Sequence, residues 1–177
     1  MPPMPAACPF RGLRLLALAL LLVSGGALMA ALYAEFALGL EPCVLCLYER
    51  GPWVLAALLC AIAFQPGLDA SWRRRLLGLC ALAFFGNVLL AGFHIGVEQH
   101  WWAGTDACGA TAAGPGVGSL GDLRAAMSAP APATARCDTP SWDFHGLTLA
   151  GLNLILSLIL GGLTGWRVLR RDASHPI

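Results

Sequence analysis

The chain has 177 residues, of which 58% are hydrophobic and 12% charged, and its formal net charge is +1. So few charges cannot cover a water-wetted surface, and lipid must solvate much of the chain. The basic residues are all arginine and form no stripe, which excludes a nucleic-acid partner.

Four uncharged, largely apolar stretches follow in chain order: residues 15–34, 51–68, 76–97 and 146–166. At 1.5 Å rise per residue about 20 residues cross a hydrocarbon core, so the first, third and fourth suffice as they stand. The second is cut short by Gln65-Pro66-Gly67, which ends a helix near Phe64. Its helix must therefore start earlier, around Cys46, and carry Glu49 and Arg50 in its first turns. Pro52 is tolerated there, because the first turns have few intrahelical donors to lose.

Arginine placement orients these helices. Arg11 and Arg14 precede the first, Arg73, Arg74 and Arg75 lie between the second and third, and Arg167, Arg170 and Arg171 follow the fourth. The positive-inside rule puts all of them, and both termini, in the cytoplasm. Arg50, Arg124 and Arg136 are left for the other side. Trp101, Trp102 and Trp142 on that side, with Trp72 and Trp166 on the cytoplasmic side, fit interfacial aromatic belts.

The expected fold is an all-α four-transmembrane-helix bundle forming one membrane domain. Its layout is a cytoplasmic tail (1–14), helix (15–34), external loop (35–47), helix (48–65), cytoplasmic loop (66–75), helix (76–97), external loop (98–145), helix (146–166) and cytoplasmic tail (167–177). The first apolar run is too long for a typical signal-peptide core, so no cleavage after Ala27-Leu28-Met29-Ala30 is expected. No internal repeat is evident.

The two external loops differ. The first is short and carries Cys43-Val44-Leu45-Cys46 behind Pro42, which disfavours helix at Glu41 and helps close the turn. The second is long and rich in Ala, Gly and Pro, as in Gly114-Pro115-Gly116 and Ala129-Pro130-Ala131-Pro132, and is expected to be mobile. Within it Leu120, Leu123 and Met127 recur at helical spacing, either a short surface helix or scattered apolar residues.

Seven cysteines divide by location. Cys8 falls in the cytoplasmic tail, and Cys60 and Cys80 fall inside spans, where a thiol behaves as a small hydrophobe. Cys43, Cys46, Cys108 and Cys137 all face the side where thiols can be oxidised. The natural pairing is Cys43 with Cys46 and Cys108 with Cys137, although four cysteines permit three connectivities. A CxxC bridge closes a very small ring and stabilises little, so its value is chemical. At a helix N-terminus the dipole and the nearby Arg50, one turn after Cys46, both favour thiolate, the nucleophile in exchange.

Arg50 at the membrane edge is a functional candidate, binding an anionic or carbonyl-bearing ligand; the alternative is a snorkelling arginine paired with Glu49 or a headgroup. No GxGxxG, CxxCH or phosphate loop supplies an electron acceptor. A lipid-soluble quinone needs no such motif and can reach Cys46 and Arg50 through the bilayer.

Pro42-Cys43-Val44-Leu45-Cys46-Leu47-Tyr48-Glu49-Arg50 resembles the signature of the disulfide bond formation protein B (DsbB) family. Gly96-Val97-Glu98, and Cys137 followed by Trp142-Asp143-Phe144-His145-Gly146-Leu147, resemble further segments of that family, and the likeness extends over roughly residues 10–168. The resemblance implies an enzyme of the bacterial inner membrane, a thiol:disulfide oxidoreductase that reoxidises a periplasmic DsbA-like protein and passes two electrons to ubiquinone or menaquinone. By similarity Cys108 forms the mixed disulfide with DsbA, Cys137 is released to attack Cys43, and Cys46 meets the quinone ring beside Arg50. Some relatives have a histidine immediately after the glutamate matching Glu98. Here Gln99 stands there, so that role transfers neither to His94 nor to His100, which read as interfacial or structural residues.

Two other classes compete. A metal-binding membrane protein using the four cysteines is one, but zinc favours compact ligand pairs and the second loop has no CxxC. A structural protein with two inert disulfides is the other.

Overall fold

The computed structural model describes residues 9–105, 108, 136–140, 142–144 and 146–170. Cys8, Arg124, Arg171, His145 and the Leu120 to Met127 segment lie outside the described residues. Four helices carry the fold: α1 (Pro9–Phe36), α2 (Val44–Phe64), α3 (Ala70–Glu98) and α4 (Leu149–Leu169). All four are long and apolar enough to cross a membrane, so the chain is an all-α, four-span, multi-pass membrane protein. Around the bundle α1 packs on α2, α2 on α3, and α3 on α4.

Each helix boundary has a local cause. α2 starts at Val44, inside the CxxC, earlier than residue 48, because Cys43 acts as its N-cap: the Cys43 sulfur accepts the Cys46 N–H at 3.2 Å. α2 ends at Phe64, where Gln65, Pro66 and Gly67, the last at φ +82°, turn the chain. α3 starts before residue 76 and takes the three arginines into its first turns. Two of them satisfy helix ends: Arg73 Nε donates to the Ala63 carbonyl at 2.7 Å, and Arg74 Nη1 to the Val168 carbonyl at 3.2 Å. Arg14 Nε does the same for Phe64 at 3.2 Å.

α4 starts at Leu149, later than residue 146, because a two-stranded antiparallel hairpin precedes it: β1 (Asp143–Phe144) pairs with β2 (Leu147–Thr148). Gly146 in its turn has φ +83°, a conformation that favours glycine. Thr148 then caps α4, its hydroxyl accepting the Gly151 N–H at 3.1 Å.

The core of the bundle alternates small and large side chains, with Ala17, Ala56 and Ala63 fully buried among Leu77 and Phe84. Small residues let the backbones approach where no hydrophobic effect drives helices together in lipid. Cys60 and Cys80 belong to this core, fully buried with their sulfurs 3.5 Å apart across α2 and α3. Higher in the bundle a polar seam joins three helices: Trp53 Nε1 donates to Asn153 Oδ1 at 2.8 Å, and the Asn87 amide lies 2.9 Å from Ser157 Oγ.

Candidate functional site

The site is built on the N-terminal end of α2. Cys43 caps the helix and is 2% exposed, and its Sγ donates to Cys46 Sγ at 2.9 Å. The other two loop cysteines lie against the same helix end. Cys108 is placed by its N–H on the Thr105 carbonyl at 2.8 Å and by its sulfur 3.3 Å from the Thr105 hydroxyl. Cys137 N–H reaches the Cys108 carbonyl at 3.4 Å. The Cys137 sulfur hydrogen-bonds the Cys108 thiol and takes the Leu45 N–H of α2. Cys43, Leu45, Val97, Cys108 and Cys137 form one buried cluster, against which Cys46 packs. The two cysteine pairs, far apart in sequence, thus share one pocket of the fold.

The described cysteines are free thiols, and of the four at the α2 end Cys43 and Cys137 are pushed toward the protonated form. The hydrogen bond to Cys46 and then burial push the Cys43 thiol far above its ordinary value, with His94 acting the other way. Burial and the Cys108 hydrogen bond raise Cys137 likewise, against the Leu45 N–H.

Behind Cys43 lies a buried polar chain that the sequence reading assigned to no function. His94 of α3 places Nε2 3.4 Å from Cys43 Sγ and Nδ1 2.7 Å from Glu49 Oε1. Glu49 Oε2 accepts Asn153 Nδ2 at 2.6 Å. One turn further along α3, Glu98 Oε1 stands 3.8 Å from His94 Nε2, and its Oε2 accepts the Thr148 hydroxyl at 2.7 Å. His94 is therefore buried within reach of Cys43 of the CxxC rather than placed at the membrane interface. The signal available in the sequence was an ionisable residue inside an apolar span, which is a functional candidate wherever it occurs. His100, beyond the end of α3, makes no such contact among the described residues.

On the other face of Cys46 is an apolar cavity of about 340 Å³, in the cleft between α1 and α4. Alanines of α1, including Ala27 and Ala31, form one wall, and Leu152 and Leu156 of α4 the other. Its polar groups are few: Cys46, Glu49, Arg50 and Asn153 reach it from α2 and α4, with Glu41 at the loop. A small number of polar groups in a largely apolar lining is the usual build of a site for a flat organic ligand. Among the described side chains Arg50 pairs with Glu35 rather than Glu49: its Nη1 bonds Glu35 Oε2 at the end of α1 at 2.7 Å.

A closed four-cysteine metal centre does not fit this arrangement. Among the described residues Cys43 and Cys46 converge only with His94, without Cys108 or Cys137.

Residues 13–167 match the family model described as disulfide bond formation protein DsbB. Disulfide bond formation protein B 2 of Pseudomonas entomophila is 32% identical over 156 residues, covering 85% of this chain and 88% of its own. The disulfide bond formation proteins B of Methylococcus capsulatus and Marinobacter nauticus are 35% and 29% identical, over 77% and 85% of this chain and 82% and 88% of theirs. No solved structure matches.

Proposed function

The chain belongs to the disulfide bond formation protein B family, a membrane thiol:disulfide oxidoreductase of the disulfide bond pathway, and from that premise we propose that it moves electrons from a periplasmic DsbA-like protein to membrane quinone. The carrying observation is the position of the α2 N-terminus, with Cys108 and Cys137 on one side and the apolar cavity on the other. The membrane is the bacterial inner membrane, with residues 35–47 and 98–145 in the periplasm and residues 1–14, 66–75 and 167–177 in the cytoplasm. The positive-inside placement of the arginines supports this orientation.

Electrons enter at the second loop. Reduced donor attacks the Cys108/Cys137 disulfide at Cys108, and Cys137 leaves as the thiol that next attacks Cys43. Cys137 is already packed against the α2 end, so that transfer needs only a local shift. Breaking Cys43/Cys46 at Cys43 releases Cys46, which stands at the cavity wall with Arg50 one turn on, and leaves Cys137 bonded to Cys43. The donor's second thiol then displaces Cys108 from the mixed disulfide, and Cys108 re-forms its bond to Cys137, freeing Cys43 as a thiol. The cavity fits a quinone head: it is apolar, and Arg50 and Asn153 offer donors to ring carbonyls. When bound, quinone supplies the two-electron sink. Such a sink is required, since DsbA is a strong oxidant at about −120 mV, and structural disulfides below about −300 mV could not reoxidise it.

The test is turnover of purified protein with a reduced DsbA-like donor and a short-tailed quinone. Quinone reduction is expected in the wild type and lost in Cys46→Ser with membrane insertion intact. Full quinone reduction by Cys46→Ser overturns the proposed electron exit.

A further inference from the structure

We propose that His94 is the base that takes the Cys43 proton when the Cys43–Cys46 disulfide is rebuilt, and that Glu49 hands this proton on to the cavity. This rests on the reading above that quinone is the acceptor there. The geometry is that of a nucleophile, a base and a group that orients the base. Glu49 Oε1, 2.7 Å from His94 Nδ1, selects the tautomer with the proton on Nδ1. The lone pair of Nε2 then faces Cys43 Sγ, 3.4 Å away, and receives the thiol proton once that proton swings from Cys46 to His94. Glu98 is the competing partner on the same helix, but it is farther, at 3.8 Å, and its other oxygen is held by Thr148.

Burial makes a relay necessary. His94 is 2% and Glu49 6% exposed, so bulk water cannot collect the proton. Cys43, held as a thiol by its bond to Cys46 and by burial, does not ionise unaided near neutral pH. Among the described residues Glu49 is the one that both hydrogen-bonds His94 and lines the cavity, and Asn153, which lines it too, fixes its second oxygen at 2.6 Å. The groups facing His94 are thus Cys43 and Glu49 from the α2 side and Glu98 from α3, while Arg50 is turned to Glu35.

The step balances as two thiols and one quinone giving one disulfide and one hydroquinone. The Cys43 S–H bond breaks, its proton passes to His94 Nε2, and the Cys43 sulfur bonds to Cys46. Two electrons leave with the acceptor, and the two thiol protons complete the hydroquinone, the Cys43 proton by way of His94 Nδ1 and Glu49.

The experiment uses the full-length reduced protein in lipid nanodiscs, with two readouts from pH 5.5 to 9. One is the single-turnover rate of oxidation by a short-tailed quinone. The other, without quinone, is the rate at which methyl methanethiosulfonate labels Cys43, resolved by peptide mass spectrometry. His94→Gln is expected to slow both about 100-fold at pH 7 and leave rates that climb steadily with pH, the size of a lost general base. Unchanged labelling and an unchanged pH profile in His94→Gln overturn the proposal. Should His94→Gln fail to insert, the isosteric Glu49→Gln carries the test: turnover falls about tenfold or more at unchanged quinone KM, and unchanged turnover overturns the relay. A wild type that passes no electrons to quinone, while His94 still governs Cys43 labelling, overturns the acceptor and supports the base.

Discussion

Arg50 and Glu35 hold each other across the mouth of the cavity, each about one-quarter exposed or less. Replacing Arg50 by Leu removes the cation from the cavity wall and leaves Glu35 without its partner. The expected outcome is a rise of about tenfold in quinone KM with the rate of Cys108/Cys137 exchange unchanged, the size of one charged hydrogen bond. Arg50→Lys should recover part of it, and initial rates against quinone concentration provide the measurement. An unchanged KM removes Arg50 from the site. The residues legible in the sequence were those whose chemistry is local: Cys43, Cys46 and Arg50 fall within one stretch, and the helix period alone puts Arg50 a turn from Cys46. His94 was not legible because its partners lie 51 and 45 positions away on another helix. Glu35 escaped for the same reason, since nothing in a helix period says that the end of α1 meets the start of α2.

At the scale of elements, the polar seam through α2, α3 and α4 ties the site to the bundle. Asn153 accepts from Trp53 with one end of its amide and donates to Glu49 with the other. Asn153→Leu strips Glu49 of that donor in a buried setting. It is expected to lower the stability of the detergent-solubilised protein by about 1–3 kcal/mol, read as a fall in Tm, because a buried acceptor loses its partner. The spans were readable from hydropathy and the arginines, because lipid demands long uncharged runs whatever their neighbours. Their ends were less so. Sequence preference places the start of α2 near Cys46, whereas a thiol serving as N-cap moves it to Val44. The β1–β2 hairpin, only two residues per strand, has too short a pattern to register before α4.

Across the whole molecule, the reduced form stores two thiols, Cys43 and Cys137, above their ordinary value of 9.0. A raised pKa favours the folded arrangement while the group stays protonated, so its contribution is complete below about pH 9 and is lost as pH climbs through the folded value. Alkaline titration of the reduced protein should therefore loosen the second loop from the α2 end, seen as faster limited proteolysis above about pH 9. The oxidised protein, with no thiols there to ionise, should lack the transition; equal rates in both forms contradict the account. The two approaches to the α2 end also differ in medium. In the proposed reaction the protein donor comes from the water side to the second loop that holds Cys108, and the lipid-borne acceptor comes sideways from the bilayer into the cleft between α1 and α4. Because they use separate doors to one helix end, saturating either substrate leaves the other unobstructed, and the enzyme can run at full load in a membrane crowded with both.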